Sequence, residues 1–187
     1  EWQKSEQIRQ AQKSLQNHVG LFHQKILGAM PGWQDLGANG GMVDLANSEQ
    51  KQIAEVKNKH NTLNASGQLA LYRQMEQTVM PKGEQYKGFT AYCVEIIPAS
   101  GKRYDQEFMP SDKGTGVKCA NNPLIRQIDG FSFYALASGV PNALEQLFQA
   151  LPDVIELATR KIAPASPFTF ADRDFAKAYF TKAFGVQ

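Results

Sequence analysis

The sequence predicts an α/β fold, a mixed central sheet flanked by helices, and three stretches carry that expectation. Residues 2 to 29 place Ile8, Ala11, Leu15, Val19, Phe22 and Ile26 at steps of three and four, one apolar stripe along a helix. "GFTAYCVEIIP" is almost continuously apolar and rich in aromatic and β-branched residues, the pattern of a strand covered on both faces. Strand-like "QIAEVKNK" is followed by helix-like "NASGQLALYRQMEQTVM" and then by that apolar strand. This order implies a βαβ crossover with parallel pairing.

The remaining elements follow in chain order. Gly20 is a place for the first helix to bend or split, and "MPGWQDLGANGG" reads as loop. "MVDL" and "QIAEVKNK", joined by "ANSEQK", form an antiparallel hairpin. Ser66 caps the next helix, whose apolar face is Leu69, Tyr72, Met75 and Val79. Residues 98 to 122 hold several turns and one or two edge strands, and "IDGFSFYALA" reads as a further strand. Three helices close the chain. Asn142 with Glu145 forms a capping box, Pro152 starts a new helix, and Thr169 with Asp172 opens the last. That last helix carries Phe175, Tyr179, Phe180 and Phe184 and ends near Gly185.

The composition bounds the function. The chain has 187 residues, 42% of them hydrophobic, enough for a core, and no apolar run long enough to cross a bilayer. The spacing of Cys93 and Cys119 suits neither zinc nor a disulfide framework, so a buried Cys93 thiol and a reduced, cytoplasmic setting are expected. A net charge of +2 neither demands nor excludes nucleic acid: a coat that covers DNA non-specifically is usually more basic, whereas an enzyme that grips DNA in one cleft can carry its positive charge locally.

The chemistry concentrates in "MVDLANSEQKQIAEVKNKHNT". Strand alternation puts Glu55 and Lys57 on one face and Val56 on the other. Asp44 lies beside them if the hairpin register has the right parity. Two adjacent carboxylates favour a hard divalent cation such as Mg²⁺, with the Val56 carbonyl as a third oxygen. A lysine beside a metal-bound water can stabilise developing charge or help deprotonate that water, the equipment of phosphodiester hydrolysis. The plainer reading of the same residues is a half-exposed strand with Glu55 and Lys57 as a solvated pair.

Asp44 followed by Glu55-Val56-Lys57 resembles the PD-(D/E)XK nuclease superfamily, with Val43 where proline is usual. "NHVGLFHQKILG", "DLANSEQKQIAEVKNKHNT" and "IDGFSFYALASGVPNALEQL" resemble a family of type II restriction endonucleases whose characterised members cut GGNCC-like sites. The polar residues Asn58, Lys59, Asn61 and Thr62 are the most specific part of the match. The resemblance implies a restriction-endonuclease-like fold in a single nuclease domain over 1–187. It implies Mg²⁺ on Asp44 and Glu55, with Lys57 assisting the nucleophilic water. It also implies that Gln68 and Tyr72 support the site, as a similar pair does in some relatives, although Tyr72 fits core packing equally well. An N-terminal acid, Glu1 or Glu6, joins the site in part of the superfamily.

Double-stranded DNA is then the expected partner. Lys59, Asn61 and Thr62 are placed to hold phosphates, and segment 98–122, with Lys102 and Arg103, to read bases in the major groove. An ordinary charged surface loop is the alternative for that segment. A two-fold symmetric site is most simply cut by a homodimer, with the first or the last helix as interface. Two other functions remain open: a repair or structure-selective nuclease of the same superfamily, and a non-catalytic DNA-binding domain on the same fold.

Overall fold

The computed structural model describes residues 2–37, 41, 43–99, 101–112, 114–162 and 173–184. Their strands are β1 (Gln34–Asp35), β2 (Leu45–Asn47), β3 (Gln52–Lys59), β4 (Thr90–Ile97), β5 (Asp105–Glu107) and β6 (Ile125–Asp129). They form one sheet in the order β1-β2-β3-β4-β6-β5. The helices are α1 (Trp2–Gly28), α2 (Ala65–Val79), α3 (Gly130–Ser138), α4 (Ala143–Ile162) and α5 (Arg173–Phe184). The mixed sheet flanked by helices is the expected α/β architecture. None of the described helices is long and apolar enough to cross a membrane.

The β2–β3 hairpin is antiparallel, as expected, but its first strand starts later than "MVDL". Asn47 sets the boundary. Its side-chain oxygen accepts the Gln50 N–H at 3.0 Å, and Lys51 adopts a left-handed φ of 52°, so the turn begins after Asn47. Within the presumed loop 30–41, β1 adds a short antiparallel edge to β2.

The βαβ unit is present. β3 and β4 pair in parallel, and α2 makes the crossover. Asn64, not Ser66, caps α2. Its side-chain oxygen accepts the Gly67 N–H at 2.8 Å, while the Ser66 hydroxyl turns back onto the same oxygen. Asn64 has the extended backbone a cap needs, whereas Ser66 already lies inside the helix. The buried side of α2 is Leu71, Tyr72, Met75 and Val79, with Leu69 only half-buried.

The sheet separates two cores. Leu45, Ala54, Val56, Tyr92, Val94 and Ile128 pack under Leu27, Phe133, Tyr134, Leu144 and Phe184. Ile53, Ala91, Cys93 and Ile125 pack under α2 and Phe108. β4 is buried from Ala91 to Ile96, including Glu95. His23 is buried on α1, with Nδ1 2.8 Å from the Tyr134 hydroxyl, and burial holds its pKa down at about 4.

"IDGFSFYALA" is not one strand. β6 ends at Asp129, and the chain turns directly into α3. One Asp129 oxygen accepts the N–H groups of Phe131 and Ser132, which caps the helix. Gly139 closes it in the left-handed conformation. A Cβ at Gly130 would stand 2.5 Å from the Ile96 carbonyl oxygen, so only glycine lets helix and sheet approach here.

α4 runs unbroken through Pro152, which therefore does not start a new helix. Proline there removes one N–H and crowds the preceding turn. Packing against α3 and against Phe180 and Phe184 of α5 keeps the helix continuous. Asn142 spends its side-chain oxygen on Gln146 Nε2, and not on the box with Glu145. The Thr169–Asp172 box lies outside the described residues, as do the side chains of Phe175 and Tyr179. Phe180 and Phe184 are buried within their own chain, so a dimer interface would have to use other groups. Gly20 does not interrupt α1.

Candidate active site

The hairpin register decides whether the two acids meet. Leu45 pairs with Ala54, and Asp44 lies just before this last pair, next to the strand that carries Glu55. Asp44 donates its N–H to the Ala54 carbonyl at 3.0 Å, one residue off the regular ladder, so the chain is irregular here and the acid is drawn toward β3. Its carboxylate bridges to β3, where Oδ2 accepts the Val56 N–H at 2.8 Å. In an extended strand the N–H and C=O of one residue point to the same side. The Val56 carbonyl is therefore turned toward Asp44 as well.

Glu55 and Lys57 share the α2 face, on the opposite side from Ala54 and Val56. Lys57 Nζ lies 2.5 Å from Glu55 Oε1, and both side chains are mostly covered. The other oxygen, Glu55 Oε2, is buried without a hydrogen-bond partner. Burial, and next the nearby Asp44 charge, push the Glu55 pKa up to about 7, with Lys57 pulling the other way. Burial also raises Asp44, against the Val56 N–H and the Lys57 charge.

This donor set fits a divalent cation. It offers two carboxylates and a backbone carbonyl, all hard oxygens, and one carboxylate oxygen is an orphan where burial makes that costly. Among the described residues no group of three or more His, Cys, Asp or Glu could hold a metal. A third protein ligand at this site would accordingly be the Val56 carbonyl.

The other expected residues fall in different places. Lys59, Asn61 and Thr62 form the turn that ends β3. The Lys59 N–H reaches the Thr62 hydroxyl at 3.2 Å, and Asn61 and Thr62 are exposed. Tyr72 is buried, packs beside Phe108 and donates its hydroxyl to the Ala120 carbonyl at 2.7 Å. It thereby ties the 108–120 segment to α2. Gln68 is half-buried in the first turn of α2, its N–H bonded to the Asn64 carbonyl. Lys102 is exposed, and Arg103 stacks its guanidinium on Phe131. Glu6 is held by Arg9 and Gln10, and Glu1 lies outside the described residues.

The sequence reading missed a second row of polar groups beside Lys57. Lys57 pairs in register with Glu95, and Glu95 with Asp129. Buried Glu95 accepts the Tyr104 hydroxyl at 2.5 Å, and Asp129 accepts the Tyr104 N–H at 2.7 Å. The signal was available, because Glu95 is the one acid in an otherwise apolar strand. Asp35 was missed as well. It is fixed by Gln24, Lys25 and the Gly37 N–H, and its charge adds to the repulsion felt by Asp44.

Comparison with known proteins gives a consistent picture. The family model for the Eco47II restriction endonuclease matches residues 1–159. The type II restriction enzyme Eco47II of Escherichia coli is 47% identical over 185 residues, which cover 99% of this chain and 77% of that protein. The type II restriction enzyme Sau96I of Staphylococcus aureus is 31% identical over 159 residues, 83% of this chain and 59% of that protein. No solved structure matches the chain. With its acids and lysine gathered on one hairpin and its sequence matched along most of its length, the chain belongs to the Eco47II family of type II restriction endonucleases.

Proposed function

We propose that this chain hydrolyses phosphodiester bonds of double-stranded DNA at a specific, GGNCC-like sequence, with Mg²⁺ held by Asp44, Glu55 and the Val56 carbonyl. The observation that carries this reading is the closeness of the Asp44 and Glu55 carboxyls on the hairpin, next to a lysine and with one buried carboxylate oxygen unpartnered. A divalent cation at such a site polarises the attacked phosphate and lowers the pKa of a bound water.

The chain's own groups supply the rest. The Val56 N–H locks the orientation of Asp44, so its free oxygen needs no reorganisation when it binds. Lys57 keeps a fixed positive charge within reach of the reacting phosphate, where negative charge builds up during in-line attack. Lys59, Asn61 and Thr62, at the open end of β3, hold neighbouring phosphates and position the strand without reading it. Residues 1–187 act as one nuclease domain in the cytoplasm, and two copies related by a two-fold axis cut the two strands of a symmetric site.

Digestion of DNA carrying GGNCC sites, with Mg²⁺, tests the reading. Discrete fragments ending at those sites are expected. Cleavage of branched or damaged DNA without a preferred sequence would replace the specificity, and no cleavage by folded protein would end the enzymatic reading. Lys57→Ala should lower the cleavage rate about a hundredfold to a thousandfold, the scale of one lost electrostatic stabiliser. Its DNA binding in Ca²⁺ should stay within a few-fold of the parent.

A further inference from the structure

We propose that Glu95 is a positioning residue for Lys57, the carboxylate that receives the ammonium once a divalent cation engages Glu55. The inference rests on the cation site proposed above and adds to it a residue one strand away, on β4.

Glu95 is the only acid in β4, and it is buried. A carboxylate in such a place costs stability unless its oxygens find partners. Tyr104 donates its hydroxyl to Oε2 at 2.5 Å. An ionised carboxylate can accept about four such bonds, so most of its capacity remains. An apolar side chain would fill the same space at lower cost. The acid therefore calls for an explanation beyond packing, and a neighbouring cation supplies one.

That cation is Lys57, which pairs in register with Glu95, both on the α2 face of the sheet. Adjacent strands lie about 4.8 Å apart, whereas two residues along one strand span about 6.6 Å. The backbone thus brings Lys57 as near to Glu95 as to Glu55. The buried Cys93 thiol reports the same grouping. Burial raises its pKa, the Glu95 charge raises it further, Lys57 lowers it and Glu55 raises it again. Asp129, next in the row after Glu95, is already committed. One oxygen caps α3, and the other accepts the Tyr104 N–H and the Ser132 hydroxyl.

In this structure Lys57 Nζ sits on Glu55 Oε1. A doubly charged ion on Glu55 offsets the field of that carboxylate and repels the ammonium beside it. Lys57 has a flexible four-carbon stem and can lean to the neighbouring strand. Glu95 receives it there and keeps the positive charge beside the reacting phosphate. Tyr104 steadies Glu95, and its own backbone is held by Asp129, through the N–H at 2.7 Å and the carbonyl at 3.1 Å.

The test is a double-mutant cycle on Ca²⁺ affinity, measured by calorimetric titration of the protein without DNA. Glu95→Gln keeps an acceptor for Tyr104 and removes the charge. It should weaken Ca²⁺ binding about tenfold or more, the worth of one hydrogen bond to a charged group. In a Lys57→Ala background the same change should cost at most a few-fold, because the ammonium it serves is gone. Tyr104→Phe leaves the carboxylate but loosens it, and should give a smaller loss with the same dependence on Lys57. In cleavage with Mg²⁺, Glu95→Gln should lower kcat with KM within a few-fold, and should slow Lys57→Ala no further. Equal losses of Ca²⁺ affinity in the two backgrounds would mean that Glu95 acts by its own charge, and would overturn the proposal. Unchanged affinity in Glu95→Gln would overturn it too. If Glu95→Gln does not fold, the Tyr104→Phe cycle decides by the same criterion. A parent protein that binds no Ca²⁺ would instead remove the cation site itself, and this role with it.

Discussion

Replacing Glu55 by Gln should change how stability depends on pH, and the size of the change can be worked out. Glu55 titrates near 7 in the folded protein against 4.5 ordinarily. A carboxyl whose folded pKa is raised favours the fold most below its unfolded pKa, and that contribution is lost as pH rises through the folded value. The window here is therefore pH 4.5 to 7. At about 1.4 kcal/mol per unit the full loss is on the order of 3 kcal/mol, with about 2.5 of it between pH 5 and pH 8. Urea unfolding of the metal-free protein in EDTA should show this decline for the parent. Glu55→Gln should lack about that much of the slope, whatever its stability at pH 5. Comparing slopes also cancels the constant effect of leaving Lys57 without its partner. Ca²⁺ at a hundred times its Kd should then restore about 2.7 kcal/mol to the parent at pH 8, and little to the variant. Parallel stability curves for the two proteins would refute both the strained carboxyl pair and the cation site built on it.

Three further outcomes follow from particular contacts. Tyr72→Phe loses the hydrogen bond to the Ala120 carbonyl and should cost about 1 kcal/mol in urea unfolding, with kcat changed by no more than a few-fold. A large fall in kcat at unchanged stability would return that hydroxyl to the active site. Gly130→Ala drives a methyl group into the Ile96 backbone and should cost about 3 kcal/mol or more by thermal unfolding. His23 carries a depressed pKa of about 4, so its contribution is present above pH 6.5 and lost as pH falls through 4. His23→Phe should flatten the acid limb of the stability curve, and an unchanged limb would count against a buried neutral imidazole.

The sequence was most legible where period and chemistry coincide. Alternation in "QIAEVKNK" put Glu55 and Lys57 on one face, and the apolar run of residues 90–97 marked the central strand. Whether Asp44 came close to Glu55 was invisible, because it depends on where the turn closes. That is settled by the Asn47 side chain and the left-handed Lys51. The α3 helix was misread because it is wedged between the sheet and α4 and is apolar nearly all round. It has no polar face to reveal a period of 3.6. Its caps, Asp129 and Gly139, were the usable signal. Pro152 misled for the opposite reason, since a local rule about proline yielded to packing on both sides of α4. Residues such as Glu95 and Tyr104 could not be joined to Lys57 without the strand order, which places sequence-distant positions side by side.

The underside of β3 has a last consequence. Ala54 and Val56 are gripped from behind by the aliphatic and aromatic layer, so the strand cannot bow away to let the two like charges above it drift apart. Backbone retreat is closed to them, so the repulsion that Lys57 does not offset is left for a proton or a doubly charged ion to relieve. The greasy lining on the far side of the sheet is thus what holds this pair of acids at close range.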